Sequence, residues 1–164
     1  MRIAVGADHA GYHLKETIKS ALFAAGVDVD DVGTTGEASV DYPDYAAAVA
    51  RRVASGICER GILVCGTGIG MAIAANKVDG IRAALVHDVT GAALSRQHND
   101  ANVLVLGGGM LGERLIREIV RTWVNSRFDG GRHQQRIDKI ARIESAHGHA
   151  ADQKPPHERQ EKKP

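Results

Sequence analysis

The feature that most constrains this chain is a regular alternation of short apolar runs with longer stretches whose apolar residues recur every three or four positions. The runs are Ile3 to Val5, Val27 to Val32, Gly61 to Val64, Ala83 to Val86 and Val103 to Leu106. Between the first two, Leu14, Ile18, Ala21, Leu22 and Ala25 keep helical spacing and stop at Gly26, a residue suited to the left-handed turn that ends a helix. Helical patterns return from Tyr45 to Val53, Met71 to Ala75 and Leu111 to Val124. Strand and helix in alternation favour parallel pairing, because each helix carries the chain back to the edge from which the last strand started. The fold expected is a single-domain α/β unit: a doubly wound, five-stranded parallel sheet with helices on both faces, Rossmann-like, followed by a C-terminal helix that carries Ile137, Ile140 and Ile143.

A length of 164 residues, 43% hydrophobic and 25% charged, suffices for one core and is short for two. We expect one domain over 1–145 and a disordered polar tail over 146–164, where apolar periodicity stops and the chain ends in charge and proline. His147, His149 and His157 fall in that tail and are assigned no chemistry. A net charge of +1, with one Trp, three Tyr and two Phe, gives nucleic acid neither a basic field nor stacking platforms. Cys58 and Cys65 are too few for a disulfide framework and lack the paired spacing of a zinc site, which fits a reducing compartment and no metal. No apolar signal core follows Met1 and no run reaches membrane-spanning length, so a cytoplasmic chain without a membrane partner is expected.

In open parallel sheets ligands bind beyond the carboxyl ends of the strands, so polar residues near those ends are the site candidates. The third run ends in Cys65-Gly66-Thr67-Gly68-Ile69-Gly70-Met71, where a thiol and a hydroxyl stand at a glycine-rich turn that opens a helix. Exposed amides at a helix start favour a thiolate and any negative charge developing on a substrate. Taken alone, Cys65 better suits a buried strand end, since free cysteine packs as a small hydrophobe; the other polar residues near the strand ends reverse that reading. Asp8-His9 follow the first run, Asp41-Tyr42-Pro43 precede the second crossover helix, and Ser95-Arg96-Gln97-His98-Asn99 form a polar loop ahead of the fifth run. His9 and His98 are each explained singly as structural caps; their expected gathering at one edge of the sheet points to a site. Arg132 and Arg136, four apart after Gly130-Gly131, put two guanidinium forks on one helix face, which suits a phosphate or a solvated helix end.

Nucleotide signatures fit poorly. The first turn, Gly6 to His13, has neither dinucleotide nor P-loop spacing, and Gly107-Gly108-Gly109-Met110-Leu111-Gly112 has G-x-G-x-x-G spacing only after the last strand. A cysteine phosphatase would need an arginine where Met71 stands.

Six motifs occur in order: Gly6-Ala7-Asp8-His9-Ala10-Gly11, Asp41-Tyr42-Pro43, Cys65 to Gly70 with Ala74 to Lys77, Gly80-Ile81-Arg82-Ala83, Ser95 to Val103, and Gly130-Gly131-Arg132-His133-Gln134-Gln135-Arg136. Together they resemble the type B ribose-5-phosphate isomerases and their relatives that act on galactose 6-phosphate and allose 6-phosphate, over residues 1 to about 144. The resemblance implies a metal-independent reaction without a cofactor, the interconversion of D-ribose 5-phosphate and D-ribulose 5-phosphate through an enediolate in the pentose phosphate pathway. It implies Cys65 as the base, Thr67 as its tuning neighbour, the amides of Gly66, Gly68 and Gly70 as the oxyanion cradle, and His98 as the ring-opening acid. Asp8, Tyr42 and Asn99 would line the pocket, and His9, Arg132 and Arg136 would hold the phosphate. It also implies a homodimer or tetramer with shared sites, in which Asn99 and the arginines face a neighbour's Cys65.

Part of the family uses a glutamate six residues after the cysteine; Met71 occupies that position here and leaves Cys65. Cys58, with no polar cluster beside it in the sequence, is taken as structural. Gly109 is a departure, since the family commonly has an arginine there near the phosphate; an arginine at 109 is expected to tighten binding, and its absence leaves allose or galactose 6-phosphate as alternative substrates. A sugar-phosphate-binding protein without catalysis would not need Cys65, Thr67 and His98 together.

Overall fold

The computed structural model describes the backbone of residues 1–151 and the side chains of 1–146. Strand β1 (Arg2–Ala7) leads through a single 3-10 turn, His9–Gly11, into α1 (Tyr12–Ala24). There follow β2 (Asp28–Asp31), α2 (Tyr42–Ala54), β3 (Arg60–Cys65), α3 (Ile69–Ala75), β4 (Ala83–Leu85), α4 (Val89–Asn99), β5 (Val103–Gly107), α5 (Glu113–Asn125) and α6 (Arg132–Ala151). All five strands pair in parallel in the order β2-β1-β3-β5-β4. From β1 the chain steps outward to β2 and then returns past β1 to β3, so the crevice between the carboxyl ends of β1 and β3 is the switch point at which such sheets bind ligands.

Strand periodicity divides the core between the two faces. Ile3, Val5, Ile62, Val64, Leu104 and Leu106 point to the side covered by α1 and α5, where Ile18, Leu22, Ile116, Ile119 and Trp123 complete the packing. Ala4, Leu63, Val103 and Val105 point the other way, against Ala46, Val49, Met71 and Ala75 of α2 and α3.

Two expectations change. Ser95 to Asn99 are the last turns of α4, not a loop. Val89, Thr90 and Gly91 are poor helix formers and hide the pattern, but Asp88 caps the helix by accepting the Gly91 amide at 2.7 Å. Ala92, Ser95 and Arg96 are its buried residues. Helix α6 runs on to Ala151, past the point at which the polar tail was expected to begin. The remainder of that tail, 152–164 with His157, lies outside the described residues, as do the side chains of His147 and His149.

Because each helix returns along the sheet, α4 and α5 end at the amino edge of the strands. Arg82, just ahead of β4, donates from Nε to the carbonyls of Asn99 and Asp100, both at 3.1 Å. Arg60, which opens β3, donates from Nη1 to the carbonyls of Trp123 at 3.0 Å and Val124 at 2.9 Å, closing the end of α5. The Asp129 amide donates to the Gln97 carbonyl at 3.0 Å, so α6 also starts at this edge.

At the opposite edge Gly11 presses the His9–Gly11 turn onto β3, where a Cβ would lie 2.3 Å from the Val64 carbonyl oxygen. Gly11→Ala is expected to cost about 1 to 3 kcal/mol in urea unfolding. Gly36→Ala, with nothing within 4 Å of its Cβ, should stay within about 0.5 kcal/mol of the parent.

Candidate active site

The carboxyl edge of β1 and β3 gathers the first group of expected site residues. Asp8 is buried and accepts the Gly11 amide on Oδ1 at 3.0 Å, which fixes the turn after β1. His9 accepts the Val40 amide on Nδ1 at 3.2 Å. A neutral His9 therefore carries its proton on Nε2 and offers a donor. Cys65 ends β3 almost fully buried, and its Sγ accepts the Gly68 amide at 3.1 Å. Gly68 reaches this position with φ of 80°, a conformation open to glycine, and a Cβ there would strike Leu85 Cδ1 at 2.5 Å. Thr67 accepts the Ile69 amide on Oγ1 at 3.3 Å. The Gly68 amide of the expected oxyanion cradle is thus engaged by the thiol, and the Ile69 amide beside it by the Thr67 hydroxyl. The Tyr42 ring lies over Gly70, where a Cβ would come within 2.6 Å of ring carbons.

The extension of β5 braces this loop. Gly108 and Gly109 donate their amides to the carbonyls of Cys65 at 2.8 Å and Gly66 at 2.9 Å. A Cβ on Gly109 would sit 3.2 Å from the Gly66 oxygen, so an arginine here would push on the loop beside Cys65.

The second group is not brought to that edge. His98 and Asn99 end α4, and Arg132 and Arg136 open α6, all at the amino edge of the sheet. The six residues of β3 put the two edges roughly 17 Å apart. The expected gathering of all candidates at one edge fails within one chain, because a helix following a strand must end where the strand began. Arg132 and Arg136 are both exposed.

Sequence reasoning passed over His133 and Asp129. The His133 ring is buried and stacks on His98 with centroids 4.3 Å apart and planes 6° from parallel, while the Asp129 carboxylate completes a cluster whose ligand atoms lie within 4.8 Å of one another. Stacked parallel rings hold their in-plane lone pairs side by side, not converging on one point. His133 shares the inward face of α6 with Ile137, one turn on, and that spacing was the available signal. Burial, then the charges of His98, Arg132 and Arg136, hold the His133 imidazole below the usual histidine range. Its Nδ1 is buried without a hydrogen-bond partner among the described residues.

Cys58 has polar company after all, with Asp30 Oδ2 at 3.7 Å from its sulfur and Arg52 on the same carboxylate at 3.1 Å. Burial and the Asp30 charge push this thiol up, away from reactivity.

An open parallel α/β sheet with a thiol and glycine loop at its switch point defines a small-molecule site in which acid–base or nucleophilic chemistry is available. The pattern of the Ribose/Galactose Isomerase family matches residues 3–140, and the chain belongs to that family. It is 49% identical over 143 residues to ribose-5-phosphate isomerase B of Escherichia coli, covering 87% of this chain and 96% of that one. The structure of Clostridium thermocellum ribose-5-phosphate isomerase B superposes with a TM-score of 0.89 at 51% identity, covering 90% of this chain and 99% of that one. D-erythrulose-4-phosphate isomerase of Pectobacterium atrosepticum is 43% identical over 151 residues, with 91% and 99% of the chains covered. Among the described residues no helix is long and apolar enough to cross a membrane.

The lowered His133 sets a direction for acid stability. The unfolded chain binds a proton on this histidine as pH falls through about 6.5 while the folded chain refuses it, so stability is lost as pH falls through that value. His133→Gln should remove part of the drop in Tm between neutral and mildly acidic buffer, read by thermal melts of both proteins.

Proposed function

We propose that this chain is an aldose–ketose isomerase that interconverts D-ribose 5-phosphate and D-ribulose 5-phosphate, a cytoplasmic enzyme of the pentose phosphate pathway. It works as a homodimer, or a pair of homodimers, whose sites each draw on two chains. The observation that carries this reading is the split itself. Asp8, His9, Tyr42, Cys65 and Thr67 stand at one edge of the sheet, and His98, Asn99, Arg132 and Arg136 stand at the other. A two-fold partner that lays its α4 and α6 ends across the carboxyl edge completes both sites at once. Exposed Ile69 and Ile73 of α3 and Ile140 and Ile143 of α6 supply apolar surface for such a contact. Beside α6 lies an open cleft of about 880 Å³, bounded by Ile81, Arg82, Ile140 and Ile143.

The chemistry follows from the groups. The partner's His98 gives a proton to the ring oxygen as the C1 hydroxyl passes its own to the Asp8 carboxylate, which opens the sugar to the aldehyde. The Cys65 thiolate takes the proton from C2, the electron pair forms the C1–C2 double bond, and O1 becomes an oxyanion held by the amides of Gly66 and Gly70. The same thiol returns the proton to C1, and the O2 proton passes to O1, giving the ketone. Thr67 orients the sulfur's loop, Asp8 and Asn99 bind sugar hydroxyls, Tyr42 walls the pocket, and His9 with the partner's Arg132 and Arg136 binds the phosphate.

A second substrate reading, a sugar phosphate of another chain length, draws on Gly109 and on the relative named for erythrulose 4-phosphate.

Proton NMR of ribose 5-phosphate in heavy water should show ribulose 5-phosphate and deuterium at C2. Cys65→Ala should lose about a hundred- to ten-thousandfold in rate with binding retained. Mixing inactive Cys65→Ala with inactive His98→Asn subunits should recover roughly a quarter of the parent activity, since half the dimers are mixed and one of their two sites is intact. No recovery would refute the shared site, and turnover confined to four- or six-carbon phosphates would move the substrate.

A further inference from the structure

Lys15 is the most buried charged residue described, 1% exposed on α1. Its ammonium donates to Asp31 Oδ1 at 3.0 Å, Asp31 Oδ2 at 2.8 Å and the Thr34 carbonyl at 2.7 Å, which uses the donors it has. A hydrophobic side chain of this volume would fill the space at no desolvation cost, so the charge is informative about geometry more than about stability. What it holds is the segment from Asp31 to Asp41, which joins β2 to α2 and has no regular structure after the strand.

The segment lies directly on the lysine. A Cβ on Gly33 would stand 2.8 Å from Lys15 Cδ and 2.7 Å from the Ala7 amide at the end of β1. Asp31 also accepts the Gly33 amide at 2.9 Å, and an exposed contact between His13 and Glu37 ties the segment's middle to α1. At its far end Val40 gives its amide to His9 Nδ1. Burial opposes the charge on Asp31, but the Lys15 and Lys19 donors and the Gly33 amide overcome it and hold the carboxyl below its ordinary range, so it stays a carboxylate at neutral pH.

We infer that Lys15 is a positioning residue for the phosphate of the substrate: by pinning residues 31–34 it keeps the Val40 amide on His9 Nδ1 and fixes that ring as an Nε2–H donor. The inference rests on the isomerase reading, in which His9 binds phosphate. Lys15 touches no substrate, and its effect belongs in binding.

The test is ring-nitrogen NMR of His9 together with steady-state kinetics and titration with inorganic phosphate. The wild type should show one neutral tautomer, protonated on Nε2. Lys15→Met should lose that single tautomer and weaken KM for ribose 5-phosphate and Kd for inorganic phosphate about tenfold, the worth of one charge-assisted hydrogen bond. Its kcat should stay within about twofold, as for loss of uniform binding. A folded Lys15→Met with the parental ring spectrum and phosphate affinity overturns the inference, as does a wild-type His9 protonated on Nδ1. If Lys15→Met fails to fold, Asp31→Asn decides, since it weakens the lysine's anchor on residues 31–34 and leaves Val40 and His9 unchanged: a mixed His9 tautomer with about tenfold weaker phosphate affinity supports the inference, and the parental spectrum and affinity overturn it. An inactive wild type with the Nε2–H ring would instead sink the isomerase reading alone, because the spectrum and the phosphate titration do not depend on turnover.

Discussion

A helix that joins two parallel strands must travel back along the sheet, and the placement of every reactive group in this chain depends on that. Residues just after a strand arrive at the carboxyl edge, and residues at the end of the next helix arrive at the amino edge. Asp8, His9, Cys65 and Thr67 are of the first kind; His98, Asn99 and, through the short turn after α5, Arg132 and Arg136 are of the second. No rotamer change bridges roughly 17 Å of sheet. Covalent continuity therefore places one group of candidate residues at each edge, and in the proposed dimer two-fold symmetry joins them. The same rule explains why Arg82 and Arg60, each at the start of a strand, close the ends of α4 and α5.

At the carboxyl edge the thiol is placed by backbone more than by side chains. Sulfur meets the Gly68 amide, the Cys65 carbonyl meets the Gly108 amide, and the Gly66 carbonyl meets the Gly109 amide. Peptide groups of a packed sheet move little, so they hold a reacting atom more tightly than a loop of long side chains would. Glycine is required where the strands come close, since a Cβ on Gly107 would stand 2.8 Å from the Thr67 carbonyl oxygen. The G-x-G-x-x-G spacing after the last strand is explained by this contact with the Cys65 loop and needs no dinucleotide.

The five strands were legible because apolar period and turn residues agree locally, and all lie within a few residues of their expected ends. Helix α4 was not, because Val89, Thr90 and Gly91 carry weak propensity and its stability comes from the Asp88 cap and from packing. The thiol and hydroxyl of Cys65 and Thr67 were legible as a motif at a strand end. The distribution of site residues over two edges was not, since it requires the direction of each helix to be followed through the topology. His133 and Lys15 went unseen for a common reason. Each is a polar residue on the buried face of a helix, so its role is defined by partners far away in sequence, Asp31 and Thr34 for Lys15 and His98 for His133.

Gly109 ties these observations to substrate binding. On the isomerase reading, the carboxyl edge of this chain would offer a phosphate the imidazole of His9 and, with glycine at 109, no guanidinium from the β5 extension. Arg132 and Arg136 stand at the opposite edge, so in the proposed dimer the cationic contacts would come from the neighbouring chain. Placing a dianion against a single neutral donor is weak, whereas two guanidinium forks on one helix face supply paired, charge-assisted hydrogen bonds. Under the proposed function, phosphate affinity would thereby be coupled to assembly more tightly than with an arginine at position 109. By linkage, such a phosphate would in turn stabilise the proposed contact between chains.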